Sequence, residues 1–309
     1  MVFIVIGGAG YIGSHMIREL LELERVVCID QFSNSFPDVF ADLSLEKKSR
    51  LTVQREYEYN GGEKVSAIFH FAALKSVPES IENPLKYYEN NLTSCIQALK
   101  LLEFTGCDTF IYSSSACVYA PTVSGVYSEN DRLQPTNPYG HTKLMCETMI
   151  CDTAVNHPLK RFFLLRYFNP YGGVENPRNP GKNLIPAIKR AIDMGTPVTV
   201  YESPSAYNTV DNTCIRDFIH IDDLIQGHLV CYKSSLKPGV YTYNLGTGQG
   251  TTVMTVVNAY KSLYPSLSVK ISPPRPGDPS VVIANCEKIG KELGWHARTK
   301  TFRVERFLQ

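Results

Sequence analysis

Tyr139-Gly140-His141-Thr142-Lys143 sets a phenol and an ammonium group four residues apart, one above the other on a single helix face. A tyrosine ordinarily ionises near pH ~10, too high for a base at neutral pH. A nearby cation favours the phenolate and lowers that value. The pair therefore reads as a proton acceptor with its activating charge. Ser115, at the end of a sheet strand, adds a hydroxyl that can hydrogen-bond a reacting oxygen. Tyr–Lys pairs at this spacing also arise by chance on exposed helices, so the meaning of this one depends on its company.

That company begins at the N-terminus. Gly7-Gly8-Ala9-Gly10-Tyr11-Ile12-Gly13 follows the apolar run Val2–Ile6 and opens a helical pattern. Gly7, Gly10 and Gly13 suit a tight turn, close backbone approach to a pyrophosphate, and close helix–sheet packing. The helix N-terminus offers free N–H groups and a positive dipole end to phosphates. Asp30 closes the second strand, Arg25–Ile29. An acid there accepts hydrogen bonds from both ribose hydroxyls of NAD and repels the 2′-phosphate of NADP; an ordinary surface aspartate would end a strand equally well. The glycine turn in its strand–turn–helix setting favours the first reading. Glycine loop, acid, strand-end serine and Tyr–Lys pair occur in that order in one chain.

The elements that must position these residues alternate. Strands are expected at 2–6, 25–29, 67–71, 109–112 and 162–167. Helical spacing spans 14–24, 84–104 and 138–157. The long helix carries Tyr88, Leu92, Ile96, Leu99 and Leu102 on one stripe. This pattern predicts an α/β fold, a Rossmann-type doubly wound parallel sheet with helices on both faces. Beyond Asn169 glycine and proline become dense and the elements shorten, with a helix at 184–194 and a strand at 198–201. The expected division is 1–169 as an NAD-binding domain and 170–309 as a smaller mixed α/β C-terminal substrate lobe. Segments near 216–221 and 242–245 are expected to return to the main sheet.

Composition narrows the classes. The 309 residues carry 31 basic and 30 acidic side chains, with no basic stripe for a nucleic acid. The opening MVFIVIGG is too short for a membrane span and lacks the basic start of a signal peptide. Nine dispersed cysteines without a CxxC pair suit reduced thiols in the cytoplasm, not a disulfide framework or a metal site.

GGAGYIGSH at 7–15, HFAALKSVPES at 70–80, YYENN at 87–91, SSSACVY at 113–119, NPYGHTK at 137–143, LRYFNP at 165–170, NLIP at 183–186, IRDFIHIDDL at 215–224, YNLGTG at 243–248 and PRPGD at 274–278 run nearly the length of the chain. Together they resemble the extended short-chain dehydrogenase/reductase family, and within it the epimerases of nucleotide sugars. The resemblance implies Ser115, Tyr139 and Lys143 as the catalytic trio. It places Tyr11, Ile12, Asn34, Ser35, Phe71, Ala72, Ala73, Lys75, Asn90 and Phe168 with Asp30 around NAD. It assigns Asn169, Asn183, Leu184, Arg216, Arg275 and Asp278 to a UDP-sugar. Guanidinium groups at 216 and 275 suit a diphosphate, because their donors match phosphate oxygens in pairs. The implied activity is inversion of C4 of a UDP-hexose through a 4-keto intermediate, by a homodimer that packs its 84–104 and 138–157 helices across the interface. Dehydratases of this family tend to carry an acid after the active-site Ser or Thr; here Ala116 stands there. Val282 falls where a residue limits the hexose pocket, so an N-acetylated sugar is expected to fit as well.

The chain departs from that family in places. The stretch 53–62 follows the third strand and leaves only about residues 60–64 before the next one, whereas a crossover with its helix needs at least ~10–12. A crossover helix is therefore expected to be missing or reduced to a turn. The loop at 170–183 is short. Ala73, Ala120 and Asn212 stand where glycine is usual. A scaffold that keeps the motifs with impaired catalysis is the alternative that these losses raise.

Overall fold

The computed structural model describes residues 1–173, 183–204, 209–275 and 277–305. Most of the 170–183 loop thus lies outside the described residues. β1 (Val2–Ile6), α1 (Tyr11–Leu20) and β2 (Arg25–Ile29) open the fold, followed by α2 (Leu45–Ser49) and β3 (Leu51–Gln54). Then come β4 (Val65–His70), α3 (Val77–Glu82), α4 (Pro84–Thr105), β5 (Thr109–Ser115), β6 (Val126–Tyr127), α5 (Pro138–Asn156) and β7 (Arg161–Tyr167). The second half runs β8 (Asn169–Tyr171), α6 (Leu184–Met194), β9 (Val198–Tyr201), β10 (Ile215–Arg216), β11 (Phe218–His220), α7 (Ile221–Lys233) and β12 (Gly239–Leu245). It ends with β13 (Thr251–Thr252), α8 (Val253–Leu263), β14 (Val269–Ser272), β15 (Val281–Ala284) and α9 (Glu287–Leu293).

Seven strands pair in the order β12-β7-β5-β4-β1-β2-β3, all parallel. β1 reads VFIVI because both of its faces are covered, and all five side chains are buried. One face packs Met16, Ile17 and Leu20 of α1 and Leu224, Ile225 and Leu229 of α7 against Phe3, Val5 and Phe69. The other packs Cys95, Ala98 and Leu102 of α4 and Cys146 and Ile150 of α5 against Ile4, Ile68, Phe110 and Phe162. Each such side chain contributes roughly 1.5–3 kcal/mol by leaving water. A separate apolar cluster joins Ile185 and Ile188 of α6, Val198 and Val200 of β9 and Val256 and Tyr260 of α8. No helix among the described residues is long and apolar enough to cross a membrane.

Three expectations change. The first helix runs from Tyr11 to Leu20, because residues 21–24 turn away before β2. The segment near 216–221 does not return to the main sheet. β10 pairs β13 and β15, β11 pairs β8, and only β12 joins the parallel sheet. The stripe on α4 is also only partly interior. Leu99 and Leu102 are buried, but Ile96 is 42% exposed, and the covered face is completed by Tyr87, Asn91 and Ser94.

Between β3 and β4 the chain forms no helix. Tyr57 and Tyr59 lean onto the α4/α5 side of the sheet instead. The Gln54 amide holds the loop by donating to the Glu56 carbonyl (2.9 Å) and the Glu58 carbonyl (2.6 Å). An open hollow of about 410 Å³ remains, lined by Val27, Thr52, Gln54, Glu58 and Tyr59 among others.

Candidate active site

α5 starts sharply. Asn137 accepts a hydrogen bond from the Gly140 N–H (2.9 Å), and Pro138 occupies the first turn. Tyr139 and Lys143 therefore sit in the first two turns, above the end of β5. The Lys143 ammonium donates to the Ser113 carbonyl (2.6 Å), lies 4.9 Å from the Tyr112 ring centre, and 5.9 Å from that of Tyr139. The structure thus brings Ser115, Tyr139 and Lys143 together where β5 ends.

The electrostatics correct one expectation. The Tyr139 phenol is not acidified here; burial pushes its pKa up, with a contribution from Cys117, and only the neighbouring Ser115 hydroxyl pulls it back. Lys143 is itself buried, which lowers its pKa to about 8, against partial restoration by Cys146, Cys95, Glu147 and Cys117. Its charge is directed first at a backbone carbonyl, and the phenol gains little from it.

The glycine turn has the shape expected of a phosphate cradle. Gly7 has φ +75°, and a Cβ there would lie 2.5 Å from the Ala72 nitrogen. A Cβ on Gly13 would meet the Gly7 carbonyl at 2.2 Å, so α1 closes onto the turn only without side chains. Gly10 is the residue before α1, Ile12 is in its first turn, and the Tyr11 hydroxyl donates to the Gly172 carbonyl (2.6 Å). Asp30 is 9% exposed and accepts from the Ala9 N–H (2.9 Å), the Phe32 N–H (2.9 Å) and the Ser35 hydroxyl (2.7 Å). The acid is thereby fixed beside the turn. Asn34 is exposed nearby. Phe71 stacks on Phe69 at 6.5 Å, and the Phe71 and Ala72 N–H groups donate to the Ile6 carbonyl. Ala73 follows them on the same loop, and the Lys75 ammonium lies 5.5 Å from the Tyr11 ring centre. These features fit a dinucleotide.

Asn90 is exposed and donates to the Asn91 side chain (3.0 Å). The residue that reaches inward is Asn91, which the sequence reading missed. It accepts from the Leu74 N–H (2.8 Å) and donates to the Leu74 carbonyl (3.1 Å) and the Thr142 hydroxyl (2.9 Å), latching the loop after β4 to α5. Its interior position on α4, in phase with Tyr87 and Ala98, was the available signal. Phe32 was missed too. It takes φ +55°, rare for a bulky residue, and so aims its N–H at Asp30, with the Arg55 guanidinium 5.5 Å from its ring.

On the other side of the opening, Arg216 and Arg275 share one carboxylate. Asp278 lies 3.7 Å from the Arg216 guanidinium and 3.0 Å from that of Arg275. Tyr201, a further missed residue, carries the Arg275 guanidinium 4.4 Å from its ring centre. Val282 pairs in register with Arg216 and packs in a small cluster with Phe168, Tyr119 and Ala284. Asn169 opens β8. Asn183 and Leu184 stand at the start of α6, where Leu184 packs against the α6/β9/α8 cluster. Asp217, also missed, is fully buried and accepts from the N–H groups of Thr247, Gly248 and Ala284 (2.8, 2.9 and 3.1 Å). It ties β10, β12 and β15 to one point.

Residues 3–246 match the NAD dependent epimerase/dehydratase family, and the chain belongs to it. UDP-glucose 4-epimerase 3 of Oryza sativa subsp. japonica is 37% identical, over 96% of this chain and 85% of the relative. A bifunctional UDP-glucose and UDP-xylose 4-epimerase of Pisum sativum is 36% identical, over 96% and 91%. Among solved structures, a UDP-glucose 4-epimerase of Stenotrophomonas maltophila with bound NAD and formylated UDP-arabinopyranose superposes with a TM-score of 0.86. It is 32% identical, with 96% of this chain and 94% of that one covered. The Bifidobacterium longum enzyme in complex with NAD+ and UDP gives 0.80 at 34% identity, with the same coverage.

Proposed function

We propose that this protein is an NAD-dependent epimerase that inverts C4 of a UDP-hexose, interconverting UDP-galactose and UDP-glucose. The observation that carries the reading is one place in the fold. A half-buried phenol, an ammonium and a serine stand where β5 ends, in a sheet whose β1 ends in a glycine cradle with a fixed acid. Ligands of open α/β sheets bind at such strand ends. NAD, when bound, supplies the acceptor for the C4 hydride and its return.

The chain's own groups do the rest. Gly7, Gly10 and Gly13 admit the pyrophosphate, and Asp30 and Ser35 meet the adenosine ribose. Ser115 orients the sugar 4-hydroxyl, and Tyr139 takes its proton as the C4 hydride leaves, giving a 4-keto sugar. Arg216 and Arg275 hold the diphosphate while the hexose turns over. Tyr139 then returns the proton to the oxygen, and the hydride is restored on the opposite face. Lys143, its ammonium 5.9 Å from the Tyr139 ring centre, keeps a positive charge at the site. Ala116 follows Ser115, so the extra proton transfer of dehydration lacks an acid at that position.

The division near residue 169 separates cofactor-holding from substrate-holding elements, with the α6/β9/α8 cluster as the core of the second. Two copies pair through α4 and α5, which expose Leu85, Phe104, Met145 and Val155. Nine unpaired cysteines suit the cytoplasm. The test is turnover of UDP-galactose to UDP-glucose by purified protein supplied with NAD and no reductant. Absence of turnover by folded, NAD-loaded protein overturns the reading. Sedimentation as a monomer overturns the pairing.

A further inference from the structure

Behind the trio lies a buried ion pair that touches no reacting atom. Ser114 of β5, Arg166 of β7 and Asn244 of β12 stand in register across three strands. Strand alternation turns Ser114 and Arg166 toward α5. Glu147 comes down from that helix onto both, accepting from the Ser114 hydroxyl (2.5 Å) and from Arg166 Nε (3.0 Å) and Nη2 (2.7 Å). Arg166 Nη1 donates to the Tyr119 hydroxyl (3.1 Å) and the Glu129 carbonyl (3.0 Å), and Tyr119 donates to Asn244 (2.6 Å). The Arg166 and Glu147 side chains are 4% and 5% exposed, in a layer otherwise built from Phe110, Tyr112, Phe162 and Leu164.

A well-packed apolar pair would serve stability as well as such an ion pair, so stability does not explain the charges. Their neighbours in sequence suggest what does. Glu147 is one turn beyond Lys143 and two beyond Tyr139. Ser114 lies between Ser115 and Ser113, whose carbonyl holds the Lys143 ammonium. Arg166 leads into Phe168 and Asn169. Each element that carries a site side chain sends one residue to this knot. We propose that Glu147 and Arg166 are positioning residues that lock α5 onto β5 and β7 and thereby set the spacing of Ser115, Tyr139 and Lys143. The proposal rests on the epimerase reading above.

Glu147 also faces Lys143 electrostatically. The other titratable groups around that ammonium are His70 from β4, Cys95 from α4, Tyr112 from β5, Cys117, and Tyr139 and Cys146 of α5. His70 is held neutral by burial, and Glu147 is the carboxylate among the groups that raise the Lys143 pKa. Removing it leaves Arg166 uncompensated, and both changes disfavour a second nearby cation.

Two variants test this. Glu147→Gln keeps the shape and removes the charge. The expected result is a kcat on UDP-galactose lower by about 100-fold with KM little changed, as a misplacement of about 1 Å predicts. Its pH profile moves acid-ward by about one unit. Glu147→Met with Arg166→Met removes both charges in similar volume. It is expected to keep its Tm within a few degrees and its NAD binding, and to lose kcat to a similar extent without the pH displacement. A folded double variant with the parental kcat overturns the proposal. So does a Glu147→Gln protein whose activity falls only with its folded fraction and whose pH profile is unmoved. Failure of the parental protein on UDP-galactose speaks against the epimerase reading instead. The Tyr139 titration, followed by tyrosinate absorbance with NAD bound, then reads the lock without turnover, and an unshifted value in Glu147→Gln overturns it.

Discussion

At Tyr139 two effects compete, and burial outweighs the hydrogen bond of the Ser115 hydroxyl that pulls the phenol's pKa down. NAD contributes a cationic ring, so loading is expected to lower the phenol's pKa. Tyrosinate absorbance, titrated with and without NAD and compared with Tyr139→Phe, measures this; identical curves sink the idea. Tyr139→Phe is expected to lower kcat by about 10²–10⁴-fold, the usual contribution of a positioned base. Lys143 sets the alkaline side. Its pKa of about 8 means the ammonium is present below that pH and lost above it. The kcat/KM for UDP-galactose should therefore decline above about pH 8. A limb that survives in Lys143→Met belongs to another group. The stability sign is the reverse. The unfolded lysine, near 10.5, keeps its proton where the folded one has released it, so the cost of burying Lys143 shrinks as pH rises between about 8 and 10.5. Val282 packs beside Phe168 and in register with Arg216, and in the proposed reading it borders the hexose. Val282→Tyr is expected to lower turnover of N-acetylated relative to plain UDP-hexoses by ~10-fold or more, since overpacking costs ~1–3 kcal/mol. An unchanged ratio assigns Val282 to packing alone.

Asn212 shows how an element's chemistry can follow from one backbone angle. It takes φ +59° and holds the turn between β9 and β10, its carbonyl accepting from the Ser203 N–H (2.7 Å). Asparagine tolerates this region, glycine prefers it and β-branched residues are strained there. Asn212→Gly should change stability by less than about 1 kcal/mol, while Asn212→Val should cost ~1–2 kcal/mol. Urea unfolding of the two variants decides, and equal midpoints contradict the argument. The elements themselves were legible where periodicity is strong. β1, β2, α6 and β9 lie where the apolar pattern put them, because each strand or helix buries a whole face. The polar interior was not legible in the same way. Asn91, Asp217 and the Glu147–Arg166 pair are far from their partners in sequence, and no local pattern marks a side chain that latches three strands. The small sheets were missed for a related reason. Two- and three-residue strands such as β10 and β11 carry no period, so their partners are set by tertiary packing alone.

The molecule is unevenly supported. At one end of the sheet, β5 and β7 are covered by α5 on one face and reached from the other by α7. At the opposite edge β3 exposes Thr52 and Val53, and no helix bridges it to β4. Tyr57 carries part of the missing cover, its ring on the sheet and its hydroxyl 2.8 Å from Ser94 of α4. Regions with few apolar contacts open separately from the core and exchange their amides faster. Amides of residues 51–64 are therefore expected to exchange at least ~100-fold faster than those of 109–115. Tyr57→Ala should widen that gap and cost ~3 kcal/mol locally, and Tyr57→Phe only ~1 kcal/mol, since the ring does most of the covering. Asp30 directly follows β2, so loosening this edge should weaken NAD binding while leaving kcat at saturating NAD close to the parental value. Protection lost equally from 109–115 in Tyr57→Ala would show instead that the edge and the catalytic strands open as one unit.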